Sequence, residues 1–255
     1  MERQHYVLVH GACHGAWTWH KVKPRLESAG HTVTMLDLAA SGINRKAIQD
    51  LHSIVEYSEP LLEFLDLLPP NEKVVLVGHS LGGMNLAIAM DKFPEKVAVG
   101  VFLTAFMPDT EHKPSYVIDE YIKRTPADNW LDTQFSSCGT LSSMLFGPNF
   151  LSNKLYQLCS VEDVELAKIL VRTGSLFVED LSKAINFTKE GYGSIPHVYI
   201  VCNEDRAIPK EHQLWMIQNG GAQEVLEITG ADHMAMLSKP QELCNSLIQI
   251  AHKYA

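Results

Sequence analysis

The sequence predicts an α/β fold in which a mostly parallel central sheet is flanked by helices and carries an inserted cap at about residues 108–183. Three observations predict it. Short apolar runs recur along the chain with helical patterns between them. One of these runs ends in a Gly-x-Ser-x-Gly pentapeptide that opens an apolar helical pattern, and the alternation then stops between about Pro108 and Lys183. With 255 residues and 46% hydrophobic content the chain can bury a large core as one domain, 1–255.

The elements follow in chain order. Tyr6–Val9 is a short apolar run that suits a buried strand, and His10-Gly11-Ala12 follows as a loop. Trp17–Ala29 has helical spacing and Thr32–Leu36 is the second strand run. Glu56–Leu68 is helical, and Val74-Val75-Leu76-Val77 is a strand that enters Gly78-His79-Ser80-Leu81-Gly82. Leu86, Ala87, Ala89 and Met90 then supply an apolar helix face. Ala98–Thr104, Val198–Cys202 and Val225–Ile228 complete the strand runs. The segment from about 108 to 183 is polar and aromatic with short helical patterns. It offers Tyr121, Trp130, Phe135, Met144, Phe146, Phe150, Leu158, Leu176 and Phe177 as apolar surface that could roof a pocket or pack as core.

The pentapeptide predicts a serine nucleophile. A serine hydroxyl reacts poorly at neutral pH, so it must be exposed and served by a general base. A strand-to-helix elbow exposes Ser80, and Gly78 and Gly82 remove side chains where strand and helix backbones meet. The helix start directs free amides and its dipole toward developing negative charge, which makes the Leu81 N–H an oxyanion donor. The general base expected is His233, in a loop after the run Glu224–Ile228, because an imidazole titrates near neutrality. Asp205 ends the strand His197–Cys202 and can orient that histidine. Glu204 and Asp232 compete for this role, but strand alternation turns Glu204 away and Asp232 is too close in sequence to His233 to reach Nδ1. The order serine, acid, histidine matches the α/β-hydrolase arrangement. The second oxyanion donor expected is the Ala12 N–H, with Gly11 allowing close approach of its loop. His10 and His14 either brace that loop or touch substrate, and His79 is expected to pack locally.

Other function classes are disfavoured. The formal charge of −9 and the absence of a basic stretch argue against nucleic acid or an anionic membrane as partner. No basic segment followed by a long apolar core opens the chain, so a cytoplasmic protein is expected. Five cysteines, at 13, 138, 159, 202 and 244, are odd in number and lack Cys-x-x-Cys spacing, which predicts reduced thiols rather than a disulfide framework or a zinc site. No dinucleotide fingerprint or Walker loop is present, so no cofactor and no metal is expected.

His10-Gly11-Ala12-Cys13-His14-Gly15-Ala16-Trp17, Leu38-Ala39-Ala40-Ser41-Gly42, Gly78–Gly83 and Ala231-Asp232-His233-Met234 resemble the plant methylesterase and hydroxynitrile lyase family. Asn129–Phe135 and Leu155–Cys159 extend the resemblance toward its salicylic-acid-binding methylesterases. The resemblance implies hydrolysis of methyl esters of small plant-hormone acids without a cofactor, an ester substrate and carboxylic acid product as partners, and contact of Ala12, Ser80 and His233 with a bound carboxylate. A homodimer stays open.

The same family includes lyases that release cyanide with an equivalent triad. By resemblance, S-selective lyases carry threonine at the position of Gly11 and lysine at that of Met234. R-selective relatives carry asparagine at position 11 and phenylalanine at position 81. Gly11 and Leu81 depart from these patterns and favour the esterase, whereas Met234, expected beside the substrate, departs only from the S-selective pattern because the R-selective relatives keep methionine there. A third reading, a ligand receptor that keeps the hydrolase fold and signals through its cap, is compatible with an intact triad.

Overall fold

The structure, a computed structural model, describes residues 3–138 and 141–255. The six apolar runs form one parallel sheet from β1 (His5–Val9), β2 (Thr32–Leu36), β3 (Val74–His79), β4 (Val97–Leu103), β8 (His197–Cys202) and β9 (Glu224–Ile228), in the order β2-β1-β3-β4-β8-β9. Strands covered on both faces need side chains that tolerate burial on both, which is why β3 and β8 are buried throughout. The edge strand β9 instead alternates between partly buried and exposed positions along most of its length.

Alternation along β1 and β3 divides the core between two faces. Val7, Val9 and Leu76 meet α2 (Ile54–Asp66) and α3 (Gly82–Lys92), through Leu61, Leu65, Leu86 and Met90. Tyr6, Leu8, Val75 and Val77 meet α1 (Val22–Ser28) and the C-terminal helix Pro240–Tyr254, through Leu26, Leu243 and Leu247. The chain leaves β1 toward β2 on one side and returns to β3 on the other, so the strand order reverses there. Such a reversal leaves a crevice at the carboxyl ends of the two strands, and the loops after β1 and β3 open into it.

Between β4 and β8 the chain forms α4 (Tyr116–Arg124), a three-stranded antiparallel sheet of β5 (Gln134–Cys138), β6 (Leu141–Leu145) and β7 (Gly174–Ser175), and α5 (Val161–Leu170). The sequence suggested only short helices here. The strand pair β5 and β6 was hidden because its serines interrupt the apolar run and β5 is exposed at Phe135, Ser136 and Ser137. Contacts to the β1 loop fix this segment in place. Arg172 N donates to the Cys13 carbonyl at 2.9 Å, and the Lys21 ammonium pairs with buried Asp163 at 2.5 Å. Cys13, Cys159, Cys202 and Cys244 carry free thiols, and the Cys138 side chain lies outside the described residues. Among the described residues no helix is long and apolar enough to cross a membrane.

Candidate active site

β3 delivers Ser80 at the top of the sheet with φ +55°, a left-handed conformation that costs a non-glycine residue about 1–3 kcal/mol. The surrounding backbone holds it there. Ser80 N donates to the Leu103 carbonyl at 3.4 Å, while the Ser80 carbonyl accepts from Gly83 N at 3.1 Å and Phe106 N at 3.0 Å. The turn requires the absence of side chains on either side. A Cβ on Gly78 would lie 2.8 Å from the Gly82 carbonyl, and one on Gly82 would lie 2.9 Å from the carbonyls of Val9 and His10. The elbow glycines therefore let α3 start against the end of β1.

Asp205 and His233 arrive on the loops after β8 and β9. His233 Nδ1 and Asp205 Oδ2 are 2.6 Å apart, with both residues buried. The Thr104 hydroxyl donates to the same Oδ2 at 2.5 Å, and the amides of Ala207 and Ile208 donate to Oδ1 at 2.7 and 2.9 Å. A carboxylate acceptor assigns the proton on His233 to Nδ1 and leaves Nε2 with its lone pair free. His79 holds the backbone of this loop, its Nε2 donating to the His233 carbonyl at 2.8 Å. Burial pushes the His79 pKa well below its ordinary value, so the ring is neutral. Asp232 points elsewhere. Its carboxylate accepts from Leu158 N, Met234 N and the Ser238 hydroxyl, while Glu204 is exposed.

The β1 loop is braced by its histidines. Leu38 N donates to His10 Nε2 at 3.1 Å, so His10 Nδ1 carries the proton and donates to the Gly11 carbonyl at 2.8 Å. His14 Nδ1 donates to the Ala12 carbonyl at 2.7 Å and Nε2 accepts from the Tyr156 hydroxyl at 2.7 Å. These bonds fix the peptides on either side of Ala12. The Ala12 and Leu81 amides donate to no backbone carbonyl among the described residues, which leaves both for a ligand.

Burial lowers the His14 pKa to about 3, with the Ala12 carbonyl opposing the shift and His10 and His233 adding to it. An unfolded histidine takes up its proton near pH 6.5, so between about 6.5 and 3 the unfolded chain binds more protons than the folded one. His14 therefore stabilises the fold fully above about pH 6.5, and that contribution declines as the pH falls toward 3. Buried His197, shifted to about 4, acts in the same direction. The urea midpoint should fall steadily from pH 7 to pH 4 and do so less steeply in His14→Gln; a flat midpoint over that range would contradict the assignment.

Ser80 and His233 line one narrow cavity together with Ala12, Tyr121, Trp130, Met144 and Leu176. The sequence had not singled out Phe106, Leu155, Ala207 or Ile208, which also line it, nor Thr104 behind Asp205. Phe106 and Ala207 follow strands β4 and β8, where residues at strand ends reach the crevice, so their position was the available signal.

Four expected substrate contacts are corrected. Leu158 is 47% exposed, because its side chain turns outward while its amide bonds Asp232. Phe135 is 56% exposed and lines a separate apolar recess with Ile122 and Val178. His14 is enclosed behind the loop by its two hydrogen bonds, and Met234 is fully buried in the core on the α1 face. Gly11 does face the nucleophile: a Cβ there would lie 2.9 Å from Ser80 Cβ and 3.1 Å from His79 Nδ1.

Comparison with known proteins agrees with this fold. A family profile described as alpha/beta hydrolase fold matches residues 5–240. The chain is 60% identical over 257 residues to salicylic acid-binding protein 2 of Nicotiana tabacum, with 99% of each chain covered. It is 56% identical to methylesterase 1 of Arabidopsis thaliana over 256 residues, covering 99% of this chain and 97% of the other. It is also 54% identical over 259 residues to an alpha-hydroxynitrile lyase of the same plant, each chain being covered in full. The crystal structure of polyneuridine aldehyde esterase, an enzyme known from Rauvolfia serpentina, superposes with a TM-score of 0.96 at 52% identity, covering 98% of this chain and 100% of that one.

Proposed function

The chain belongs to the plant methylesterase family of α/β-hydrolases, and we propose that it is a serine carboxylic-ester hydrolase cleaving methyl esters of small plant-hormone acids through an acyl-enzyme. The observation that carries this reading is the Asp205–His233 pair at 2.6 Å, with His233 sharing one apolar cavity with Ser80. In the proposed reaction His233 Nε2 removes the Ser80 proton as the hydroxyl oxygen attacks the ester carbonyl. The carbonyl oxygen becomes an oxyanion held by the Ala12 and Leu81 amides, each such donor being worth on the order of 3 kcal/mol in comparable sites. His233 then protonates the departing methanol. Water attacks the acyl-enzyme with His233 again as base, releasing the carboxylic acid and restoring Ser80. Residues 108–183 serve as a cap that encloses the acyl group with Tyr121, Trp130, Met144 and Leu176.

Methyl salicylate, methyl jasmonate and methyl indole-3-acetate are the proposed substrates, supported by the apolar lining and by the names of the relatives. Overall identity does not choose between ester and cyanohydrin, since a lyase relative is 54% identical. Gly11 and Leu81 favour the ester, because the lyase patterns carry other residues at those positions. A Cβ at position 11 would lie 2.9 Å from Ser80 Cβ, so glycine there keeps a side chain from crowding the nucleophile. A panel of these methyl esters and mandelonitrile, assayed on one preparation, should show ester cleavage with negligible cyanide release. Strong cyanide release with little ester cleavage would reverse the choice. Gly11→Ala should lower kcat about a hundredfold by displacing the nucleophile or His79, and should lower the thermal midpoint as well, because the added methyl crowds buried His79. Undiminished kcat in that variant would remove Gly11 from the argument.

A further inference from the structure

A second recess adjoins the cavity just described and has no part in the proposed reaction. Tyr121, Trp130, Phe150 and Ala207 line both. Apart from Pro209, the remaining lining of the recess is polar. It includes the guanidinium groups of Arg124 and Arg206, the Asn129 amide, and Glu211 and His212 from the first turn of α6 (Lys210–Gly220).

His212 is the unusual member. It is only 6% exposed and stacks on Trp215 with ring centroids 5.2 Å apart; the Val117 carbonyl is close to the ring, but neither nitrogen makes a hydrogen bond of good geometry among the described residues. Buried polar atoms in folded proteins are nearly always paired, and an exception calls for an explanation such as an absent ligand. Burial lowers the ring's pKa to about 4, the Arg124 charge adding to the shift and the Val117 carbonyl and Glu120 opposing it. At neutral pH the ring therefore offers one N–H donor and one acceptor.

The two arginines differ in their freedom. Arg124 is held by Glu120 at 2.9 Å and lies over the Trp215 ring at 4.5 Å. Arg206 is exposed and makes no ion pair among the described residues. Glu211 offsets part of this positive charge, but it is exposed and free to turn toward solvent. Two guanidiniums with an uncharged donor beside an aromatic wall match a small organic carboxylate better than a neutral or cationic ligand.

We propose that this recess is a second ligand site that binds a small carboxylate with a flat apolar body, the carboxylate against Arg206, Arg124 and His212 and the body against Trp130 and Tyr121. Two sources supply such a group. One is the free acid, which on the esterase reading above is released on the other side of the shared wall. The other is a distal carboxylate on a longer substrate.

Calorimetric titration of the protein with benzoate tests the site without relying on turnover. Benzoate binding should include a component that weakens about tenfold in the Arg124→Gln, Arg206→Gln double variant, recovers in Arg206→Lys paired with native Arg124, and weakens in high salt. Neutral benzamide should lack that component. An unchanged isotherm in the double variant, or equal binding of benzamide, would overturn the site.

Kinetics then separates the sources. A separate acid makes benzoate a mixed inhibitor of methyl benzoate cleavage, and the double variant relieves the inhibition. A substrate arm instead raises KM in the double variant for a dicarboxylic monomethyl ester and not for methyl benzoate. Absence of any ester turnover would count against the esterase reading alone, since the calorimetric result stands without it.

Discussion

Ser80→Ala should lower ester turnover by about six orders of magnitude, the loss measured when the nucleophile of a comparable serine triad is removed. The size follows from what remains. Without the hydroxyl no acyl-enzyme forms, and His233 and the oxyanion amides can only assist direct attack by water. The fold should be nearly indifferent to the change. Among the described residues the Ser80 side chain makes no hydrogen bond, and alanine at φ +55° bears a strain similar to that of serine. Unfolding free energy should therefore shift by no more than about 1 kcal/mol. Turnover is best followed by methanol release, together with salicylate affinity as a check on the cavity. Turnover within tenfold of the parent, in a variant that still binds salicylate, would show that Ser80 is not the nucleophile.

The fold was legible because a parallel sheet buried on both faces leaves continuous apolar runs, and all six runs became its strands. The elbow was legible for a related reason: Gly78, Gly82 and Gly83 stand where three backbones converge, and a Cβ on Gly83 would lie 2.1 Å from the Phe106 carbonyl. Such crowding admits few sequences. The pairing of His233 with Asp205 could be expected from chain order and strand ends, because those ends share one crevice. The pocket was far less legible. Leu158 and Phe135 are aromatic or aliphatic residues like Phe146 and Phe150, yet the first pair faces outward and the second lines or backs the cavity. Composition gives the supply of apolar side chains in residues 108–183. Which of them turn inward depends on the pairing of β5, β6 and β7, and that pairing has no apolar period strong enough to read. Thr104 was missed because a lone threonine at a strand end gives no hint of the carboxylate it will meet.

The two buried aspartates of the β8 and β9 loops make the sharpest contrast the site allows. Asp205→Asn should lower kcat about ten-thousandfold with little change in KM, the scale seen when the acid of a comparable triad becomes its amide. Asp205 accepts two hydrogen bonds on each oxygen. Asparagine can satisfy the Ala207 and Ile208 amides only by placing its carbonyl at Oδ1, which turns its NH2 toward Thr104 and His233 Nδ1. His233 must then accept at Nδ1 and carry its proton on Nε2, facing the nucleophile it should deprotonate. The opposite amide orientation would set NH2 against two N–H donors, a worse arrangement for buried groups. Asp232→Asn has no such route to the reaction. Its partners are the Leu158 and Met234 amides and the Ser238 hydroxyl, so it should lower the thermal midpoint while kcat stays within about tenfold. The rate at which a sulfonyl fluoride labels Ser80 provides a second readout, because labelling also needs a histidine able to take the serine proton. Slow labelling in Asp205→Asn with near-normal labelling in Asp232→Asn is the expected pattern. The reverse pattern would transfer the orienting role to Asp232 and require His233 to turn its ring away from Asp205.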